Sequence, residues 1–255
     1  MDQEPAQKEL IDRLVSALRQ DEFVLYSQAI KPLAAGGGNR PFHEILIRYQ
    51  EEETKLLPPG SFLPILEDCR LMPYVDRWVV GRITKWIRAA QAVKSDWEVP
   101  RNSINLSADT LDDPSFVEFT RKQMQTAKLP EGALSFEITW ANSIEQAELL
   151  RSMFALLKPV GCCFTIAGFD ASDEAFGILK TLKPDFIKLG SSIIRNVARS
   201  TAEAAKVEAI NKKCHSLGIK TIAEHVESND VLERLRQIGV DFAQGLGISP
   251  PQPLT

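Results

Sequence analysis

The alternation of strand-like and helix-like segments along most of the 255-residue chain is the feature that most constrains its fold. Alternating strands and helices favour parallel pairing with right-handed crossovers. In a chain of this length, eight strand-like segments fit a closed α/β barrel better than an open sheet. The patterns predict strands at Phe23–Ile30, Glu44–Tyr49, Ser103–Leu106, Leu134–Thr139, Cys163–Ala167, Asp185–Leu189, Lys220–Glu224 and Asp241–Gln244.

The connection between the first two strands is different from the others. Residues Lys31–Pro41 include three consecutive glycines, and they are too few for a crossover helix. We therefore predict that the first two strands form an antiparallel hairpin. The expected fold is a (β/α)8 TIM-like barrel in which one strand runs antiparallel.

Two helix starts and one domain boundary are readable from the sequence. Asp113-Pro114 predicts a cap followed by a first-turn proline. Ser143 with Gln146 predicts a capping box in front of a helix that begins near Ala147. The charged amphipathic segment at residues 1–22 is interpreted as a helix or linker from an upstream domain, and residues 23–255 as the barrel domain.

The composition restricts the class of function. A formal net charge of −4 argues against binding to a nucleic acid polymer. No apolar run approaches the ~18 residues of a membrane span. The four cysteines lack zinc-site spacing, and Cys162 and Cys163 would face opposite sides of their strand. We expect reduced thiols and a cytoplasmic location.

Five polar residues lie on or just after predicted strands, among apolar neighbours. A buried carboxylate is costly unless it is paired, hydrogen-bonded or bound to a metal. Each residue alone would be compatible with a polar group inside the barrel. Together they indicate a site, because carboxylates and an amide suit Mg²⁺ or Mn²⁺ and a lysine suits a phosphate. The five are Glu44, Asn105, Glu137, Lys188 and Glu224.

The motifs around these residues resemble those of the EAL domain, the bacterial cyclic-di-GMP phosphodiesterase module, from about residue 23 to 253. Glu44-Ile45-Leu46 with Arg48 resembles the E-A-L-x-R motif that names the family. Matches to further family motifs follow in order along the chain: Ser27–Ile30, Phe62–Glu67, Asn105–Ser107, Phe136–Thr139, Lys188, Ala223–Glu227 and Gln244-Gly245.

The resemblance implies roles for individual residues. In the family, two divalent ions activate the water that attacks one phosphodiester bond of cyclic-di-GMP (c-di-GMP). The resemblance implies that Glu44, Asn105 and Glu137 are metal ligands. It places Lys188 beside the attacking water and the phosphate, and it makes Glu224 a metal ligand or base. It also implies nucleotide contacts from Gln28, Leu46, Arg48, Gln244 and Pro250.

The same resemblance exposes departures after the fifth parallel strand. The family requires D-D-F-G there, with one aspartate bridging the two ions, whereas this chain has Ala167-Gly168-Phe169-Asp170. Asp170 could substitute only if the loop shifted by two residues. Trp140, Gly190 and His225 replace further motif residues: a glutamate that anchors the adjacent loop, an aspartate and a glycine.

These departures imply that Lys188 and Glu224 are vestiges of a catalytic site that no longer works. Glu44, Asn105 and Glu137 would form a vestigial metal site that needs no cofactor but could hold one Mg²⁺ or Mn²⁺. Nucleotide binding would be retained through Gln28, Glu44, Leu46, Arg48, Asn105, Glu137, Lys188, Glu224, Gln244 and Pro250.

Three functions remain open at this point. The first is an inactive EAL domain that binds c-di-GMP as a receptor and signals to a partner protein or an attached domain, for example an upstream GGDEF-type domain. The second is an inactive domain that works through protein contacts without nucleotide. The third is a weak phosphodiesterase that releases linear pGpG. A homodimer is compatible with each of them.

Overall fold

The strands of the chain form one continuous sheet that curls into a barrel. The computed structural model describes residues 3–33, 40–52, 55–169 and 171–255. The strands are β1 (Phe23–Ala29), β2 (Lys31–Pro32), β3 (Phe42–Glu52), β4 (Lys55–Leu57), β5 (Arg101–Asn105), β6 (Leu134–Thr139), β7 (Cys163–Ala167), β8 (Phe186–Leu189), β9 (Lys220–Ala223), β10 (Phe242–Ala243) and β11 (Gln252–Pro253).

Helices surround this sheet on its outer side. They are α1 (Gln3–Arg19), α2 (Leu63–Asp68), α3 (Met72–Val93), α4 (Ala108–Leu111), α5 (Pro114–Thr126), α6 (Trp140–Glu145), α7 (Ala147–Leu157), α8 (Asp173–Leu182), α9 (Ser191–Ile194), α10 (Thr201–Ser216) and α11 (Asn229–Ile238). No helix in these described ranges is long and apolar enough to cross a membrane.

The barrel closes through the antiparallel segment formed by β1 and β2. Strand β1 pairs antiparallel with β3, and β2, which continues the path of β1, pairs antiparallel with β10. From β3 through β5 and onward to β10, neighbouring strands of the wall pair in parallel. The predicted barrel with one antiparallel strand is therefore confirmed. Among the strands of the described residues, the sequence patterns missed the short β2, β4 and β11.

The barrel interior has an apolar base. Five side chains form a core cluster that is separate from the main core between strands and helices, and Cys163 packs against it. Cys162, its neighbour in sequence, belongs to the main core instead, as expected from the alternation along a strand. All four cysteines are free thiols. The base cluster consists of Ile30, Phe42, Phe186, Ile222 and Phe242.

Both predicted helix starts are confirmed, α5 at Pro114 and α7 at Ala147, but one of the two predicted caps is wrong. The Asp113 side chain accepts from the Ser115 backbone N–H in front of α5, as predicted. The predicted capping box at Ser143 does not exist. Thr139 caps α6 instead, and the Ser143 hydroxyl donates to the Thr139 carbonyl from within that helix. The cause is tertiary, because the carboxyl end of β6 fixes where the next helix begins.

Helix α1 packs directly onto the barrel. Leu14 and Ala17 are fully buried in the main core, and the Arg13 guanidinium pairs with Glu22 over 2.7 Å. An amphipathic helix acquires most of its stability from such packing. Whether residues 1–22 continue into an upstream domain stays a prediction.

Candidate functional site

The Lys188 side chain lies at the centre of the site. It is fully buried, and its ammonium nitrogen is 2.7 Å from Glu137, 2.9 Å from Glu44 and 3.6 Å from Glu224. A buried ammonium is stable only when paired and hydrogen-bonded. The lysine and its three carboxylates therefore form a single charged cluster inside the barrel.

Strand register explains why residues far apart in sequence meet here. Asn105 of β5 lies directly opposite Glu137 of β6, and Glu44 of β3 lies opposite Ser103 of β5. The five sequence-predicted residues all come together, because the carboxyl ends of parallel strands share one edge of the barrel. The Asn105 amide completes the arrangement by donating to Glu44 over 3.0 Å.

Burial and charge act differently on the members of the cluster. Burial alone would raise the pKa of Glu44, but the ammonium of Lys188 and the amides of Asn105 and Gln244 lower this pKa to about 2. Burial raises the pKa of Glu137 to about 7, against the opposing effect of Lys188. Burial would lower the pKa of Lys188, yet the surrounding carboxylates, Glu137 first, raise it above its ordinary value.

The cluster is therefore less negative than three carboxylates would suggest. The Lys188 ammonium compensates part of the negative charge. The raised pKa of Glu137 reduces the fraction of this carboxyl group that is ionised at neutral pH. An anionic ligand above the cluster meets correspondingly weaker repulsion.

Amide side chains connect the cluster to the loop that carries Pro250. Gln244 Nε2 donates to Glu44 Oε2 over 2.6 Å and to Gln28 Oε1 over 2.9 Å. Gln28 Nε2 in turn donates to the Ser249 carbonyl over 3.0 Å. These bonds place Gln28, Gln244 and the exposed loop next to Pro250 at the same rim as Glu44.

Leu46 and Arg48 extend the site along β3, on the same strand face as Glu44. Both are partly exposed. The Arg48 guanidinium lies 5.7 Å from the centre of the Tyr26 ring and donates to the Ile47 carbonyl over 3.0 Å. Arg48 forms no ion pair within the described residues, so the remaining N–H groups of its guanidinium are available to an anion.

Glycine is required where the two rim loops after β9 and β10 cross. A Cβ atom at Gly245 would lie 2.2 Å from the Val226 carbonyl oxygen, and one at Gly247 would lie 2.6 Å from the Glu227 carbonyl carbon. The Val226 N–H donates to the Gln244 carbonyl across this contact. The Gln244-Gly245 pair therefore holds the start of the Pro250 loop against the backbone of Val226 and Glu227.

The carboxyl end of β7 is different from its neighbours. Ala167 ends the strand and Gly168 follows with a φ of +70°. Phe169 turns back into the core, with its ring 5.2 Å from Trp140 and 5.1 Å from Phe176 in edge-on contacts. Asp170, the residue that could restore a carboxylate, lies outside the described residues.

Trp140 occupies the space beside this strand end. Its side chain is buried, and its indole N–H has no hydrogen-bond partner among the described residues. A glutamate at this position could accept hydrogen bonds from the adjacent loop, whereas the indole ring packs on Phe169. An aromatic contact therefore supports the loop after β7.

The side chains of the described residues, which do not include Asp170, do not suit a pair of metal ions. Among the described residues, no three histidine, cysteine or acidic side chains are placed to hold a metal. Lys188 and Gln244 donate to Glu44, while Ser103 and Lys188 occupy Glu137 Oε2. Ala167 and Gly168 offer no side-chain oxygen. The residues present therefore suit an ammonium at the centre of the site better than bridged divalent ions.

Two supporting residues were missed by sequence reasoning. Ser103 donates its hydroxyl to Glu137 over 3.0 Å, and the two-residue spacing from Asn105 could have revealed it. Asp76 accepts from the Ser107 N–H, the Ser107 hydroxyl and the Thr110 hydroxyl. It thereby fixes the turn after Asn105, and no sequence signal links α3 to that turn.

Comparisons with known proteins identify relatives of this chain in sequence and in fold. The c-di-GMP phosphodiesterase PdeB of Shewanella oneidensis is 32% identical over 242 residues, which are 95% of this chain and 28% of PdeB. The chain spans about a third of the length of the curated relatives it matches.

Two solved structures show the same fold. The FimX EAL domain of Xanthomonas citri, in complex with c-di-GMP, has a TM-score of 0.91 and 22% identity, covering 98% of this chain and 96% of that one. The FimX EAL domain of Pseudomonas aeruginosa, bound to c-di-GMP, has a TM-score of 0.87 and 24% identity, covering 95% and 96%. The family model for the EAL domain matches residues 11–251. The chain therefore belongs to the EAL domain family.

Proposed function

We propose that this EAL domain is a c-di-GMP receptor without phosphodiesterase activity. The observation that carries the proposal is the contrast at the barrel rim. The buried cluster of Lys188 and its carboxylates is hydrogen-bonded through Gln244 to Gln28, and Arg48 lies on the same strand face as Glu44. By contrast, β7 ends in Ala167 and is followed by Gly168.

The retained side chains match the chemistry of a cyclic dinucleotide. The Arg48 fork can take a phosphate in two hydrogen bonds, and Leu46 can pack against a base or ribose. Gln28 and the exposed Asn105 add amide groups at the same rim. The two FimX EAL domains, which share this fold, bind c-di-GMP in their solved complexes.

The altered side chains remove the groups that would hold two ions. Hydrolysis by two metals needs both ions, because one stabilises the attacking oxygen and the other the leaving oxygen. Losing one preorganised charge at such a centre costs about 10²–10³-fold in rate. We therefore expect turnover to fall by several orders of magnitude relative to the active family members.

Titration calorimetry with c-di-GMP in EDTA tests the receptor proposal. We expect saturable binding in the micromolar range or tighter, weakened about 100-fold by Arg48→Ala. Arg88→Ala is the matched control, because Arg88 is exposed on α3 and forms no ion pair within the described residues. Absence of heat in the wild type at high protein concentration would favour a domain that acts by protein contacts alone.

The transmitted signal requires a receiver, and the site suggests where it would act. A ligand that bridges Arg48 and the Pro250 loop would couple β3 to the rim loops after β9 and β10. We propose that a partner protein or attached domain reads this rim. Amide hydrogen exchange of residues 245–251, measured on the isolated domain with and without nucleotide, tests that coupling. Unchanged protection of these amides on nucleotide binding would contradict it.

A further inference from the structure

The base of the barrel, opposite the candidate site, contains two arginines with incomplete hydrogen bonding. Arg40 donates Nε to the Val99 carbonyl over 2.8 Å and Nη1 to the Glu131 carbonyl over 2.5 Å. Its Nη2 is buried and has no partner in the described part of the chain. Arg40 therefore has one buried donor group left without an acceptor.

Arg101 is still less satisfied. Its guanidinium lies 5.2 Å from the centre of the Phe42 ring and 4.8 Å from that of Phe186, which belong to the apolar base cluster. No side-chain hydrogen bond or ion pair of Arg101 occurs among the described residues, and its Nε is buried. Contact with ring faces attracts the cation but leaves its N–H groups unpaired.

The two guanidinium groups approach the same spot. A Cβ atom built on Gly132 would lie 3.2 Å from Nε and Nη2 of Arg101 and 3.3 Å from Nη1 of Arg40. Gly132 has a φ of +72°, so a larger residue would be strained as well as crowded. Two like charges therefore converge where only glycine leaves room.

No carboxylate within the described ranges neutralises this pair. Glu98 and Glu131 act on Arg40 only from beyond ion-pair distance, and the nearby Asp185 is paired with Lys158. Burial lowers the pKa of Arg40, and the charge of Arg101 lowers it further. Buried donors without partners in a native protein point to a bound water or ion that completes them.

We propose that Arg40 and Arg101 bind an oxyanion of the phosphate class at the base of the barrel. Its oxygens would accept from the guanidinium N–H groups that the protein leaves unpaired, since paired guanidinium forks match a tetrahedral oxyanion. The site is independent of the nucleotide surface, which lies at the opposite end of the strands.

Inorganic phosphate is the probe for this site. We expect a saturable rise in melting temperature on replacing chloride by phosphate at constant ionic strength, with calorimetric binding of one phosphate. Arg40→Gln and Arg101→Gln should each weaken this binding at least tenfold. Arg101→Lys, which keeps the charge and the ring contact but loses the fork, should fall between them and the wild type.

Two controls separate this site from other phosphate effects. Arg48→Gln removes a cation of the nucleotide surface, and Arg88→Gln removes an exposed one; both should leave the base site unchanged. Loss of binding in Arg48→Gln would assign the phosphate to the nucleotide site and overturn the proposal. An equal response in every variant, or no saturation, would overturn it too. If Arg101→Gln does not fold, Arg40→Gln and Arg101→Lys decide the outcome.

Discussion

Two parts of the barrel rim differ in the kind of side chain that fills them. Around β3, β5, β6 and β8 the side chains are polar, charged and joined by hydrogen bonds to Lys188. At the end of β7 the space is filled by the rings of Trp140, Phe169 and Phe176. The first part carries the charged and amide side chains that the proposed ligand would contact, and the second is stabilised by packing. The proposal of binding without turnover rests on this difference.

The difference also indicates how each part is stabilised. The polar part depends on mutual compensation, because Lys188 is fully buried among carboxylates and no member is stable alone. The aromatic part depends on buried area and ring contacts, which need no partner charge. Substitutions in the polar part should therefore be coupled to one another in their effect on stability. Substitutions in the aromatic part should lower stability with little change in ligand affinity.

The largest effect is expected for Lys188→Met, which leaves three carboxylates without their cation. Removing one partner of a buried ion pair costs about 3–5 kcal/mol, and we expect the upper end of that range for the free energy of unfolding. Urea denaturation measures it. Adding Glu137→Gln to Lys188→Met should recover part of the loss, and a strictly additive double variant would contradict the coupling.

Trp140→Ala tests the aromatic part. Truncating a buried tryptophan creates a cavity, so the free energy of unfolding should fall by about 3–4 kcal/mol. The c-di-GMP affinity should change less than threefold, because the indole belongs to the packed part of the rim. Ile144→Ala, at a half-exposed position in the same helix, is the control and should be nearly neutral. A large loss of c-di-GMP affinity in Trp140→Ala would contradict the claim that the aromatic part does not contribute to ligand binding.

Asp76, which supports the polar part from α3, should make stability depend on pH. Burial raises its folded-state pKa from 3.8 to about 6, against the hydrogen bonds from Thr110 and Ser107. A raised carboxyl pKa means that the contribution is most favourable below pH 3.8 and is lost as the pH rises through 6. The full loss is about 3 kcal/mol.

Asp76→Asn provides the comparison, since an amide carbonyl can accept the same hydrogen bonds without charge. The stability of Asp76→Asn relative to the wild type should increase by about 2.5 kcal/mol between pH 4 and pH 8, because a small part of the change already occurs below pH 4. Denaturant titrations at several pH values measure this difference. A difference that stays constant or reverses over this range would show that the hydrogen bonds outweigh burial.

The smallest effect is expected for Ser103→Ala. It removes one hydrogen bond to Glu137 and should lower the free energy of unfolding by about 1–2 kcal/mol. Ser192→Ala, at an exposed position on α9, should stay within about 0.5 kcal/mol of the wild type. Equal effects of the two substitutions would show that the Ser103 hydroxyl does not stabilise the cluster.

Much of this arrangement was predictable from the sequence, because periodicity and strand ends are local signals. The barrel, its antiparallel strand and the meeting of Glu44, Asn105, Glu137, Lys188 and Glu224 follow from alternation and parallel register. Whether Lys188 faces one carboxylate or three depends on distances across the barrel. A linear pattern does not contain those distances.

Other features were invisible because they join elements without a shared local signal. The hydrogen bonds from Asp76 to the turn at Ser107 link α3 to the end of β5. The approach of Arg40 and Arg101 to Gly132 joins the segment before β3, the start of β5 and the segment before β6. Thr139 displaced the predicted cap at Ser143 because the end of β6 sets where α6 begins. Each case is a tertiary constraint that overrides local preference.

The central claim is that this rim binds c-di-GMP but does not cleave it. The most direct measurement combines calorimetry and product analysis on one sample, in EDTA, in Mg²⁺ and in Mn²⁺. We expect the dissociation constant to agree within about threefold across the three conditions, with no pGpG formed. Accumulation of pGpG in Mn²⁺ that disappears in Glu44→Ala would contradict the claim.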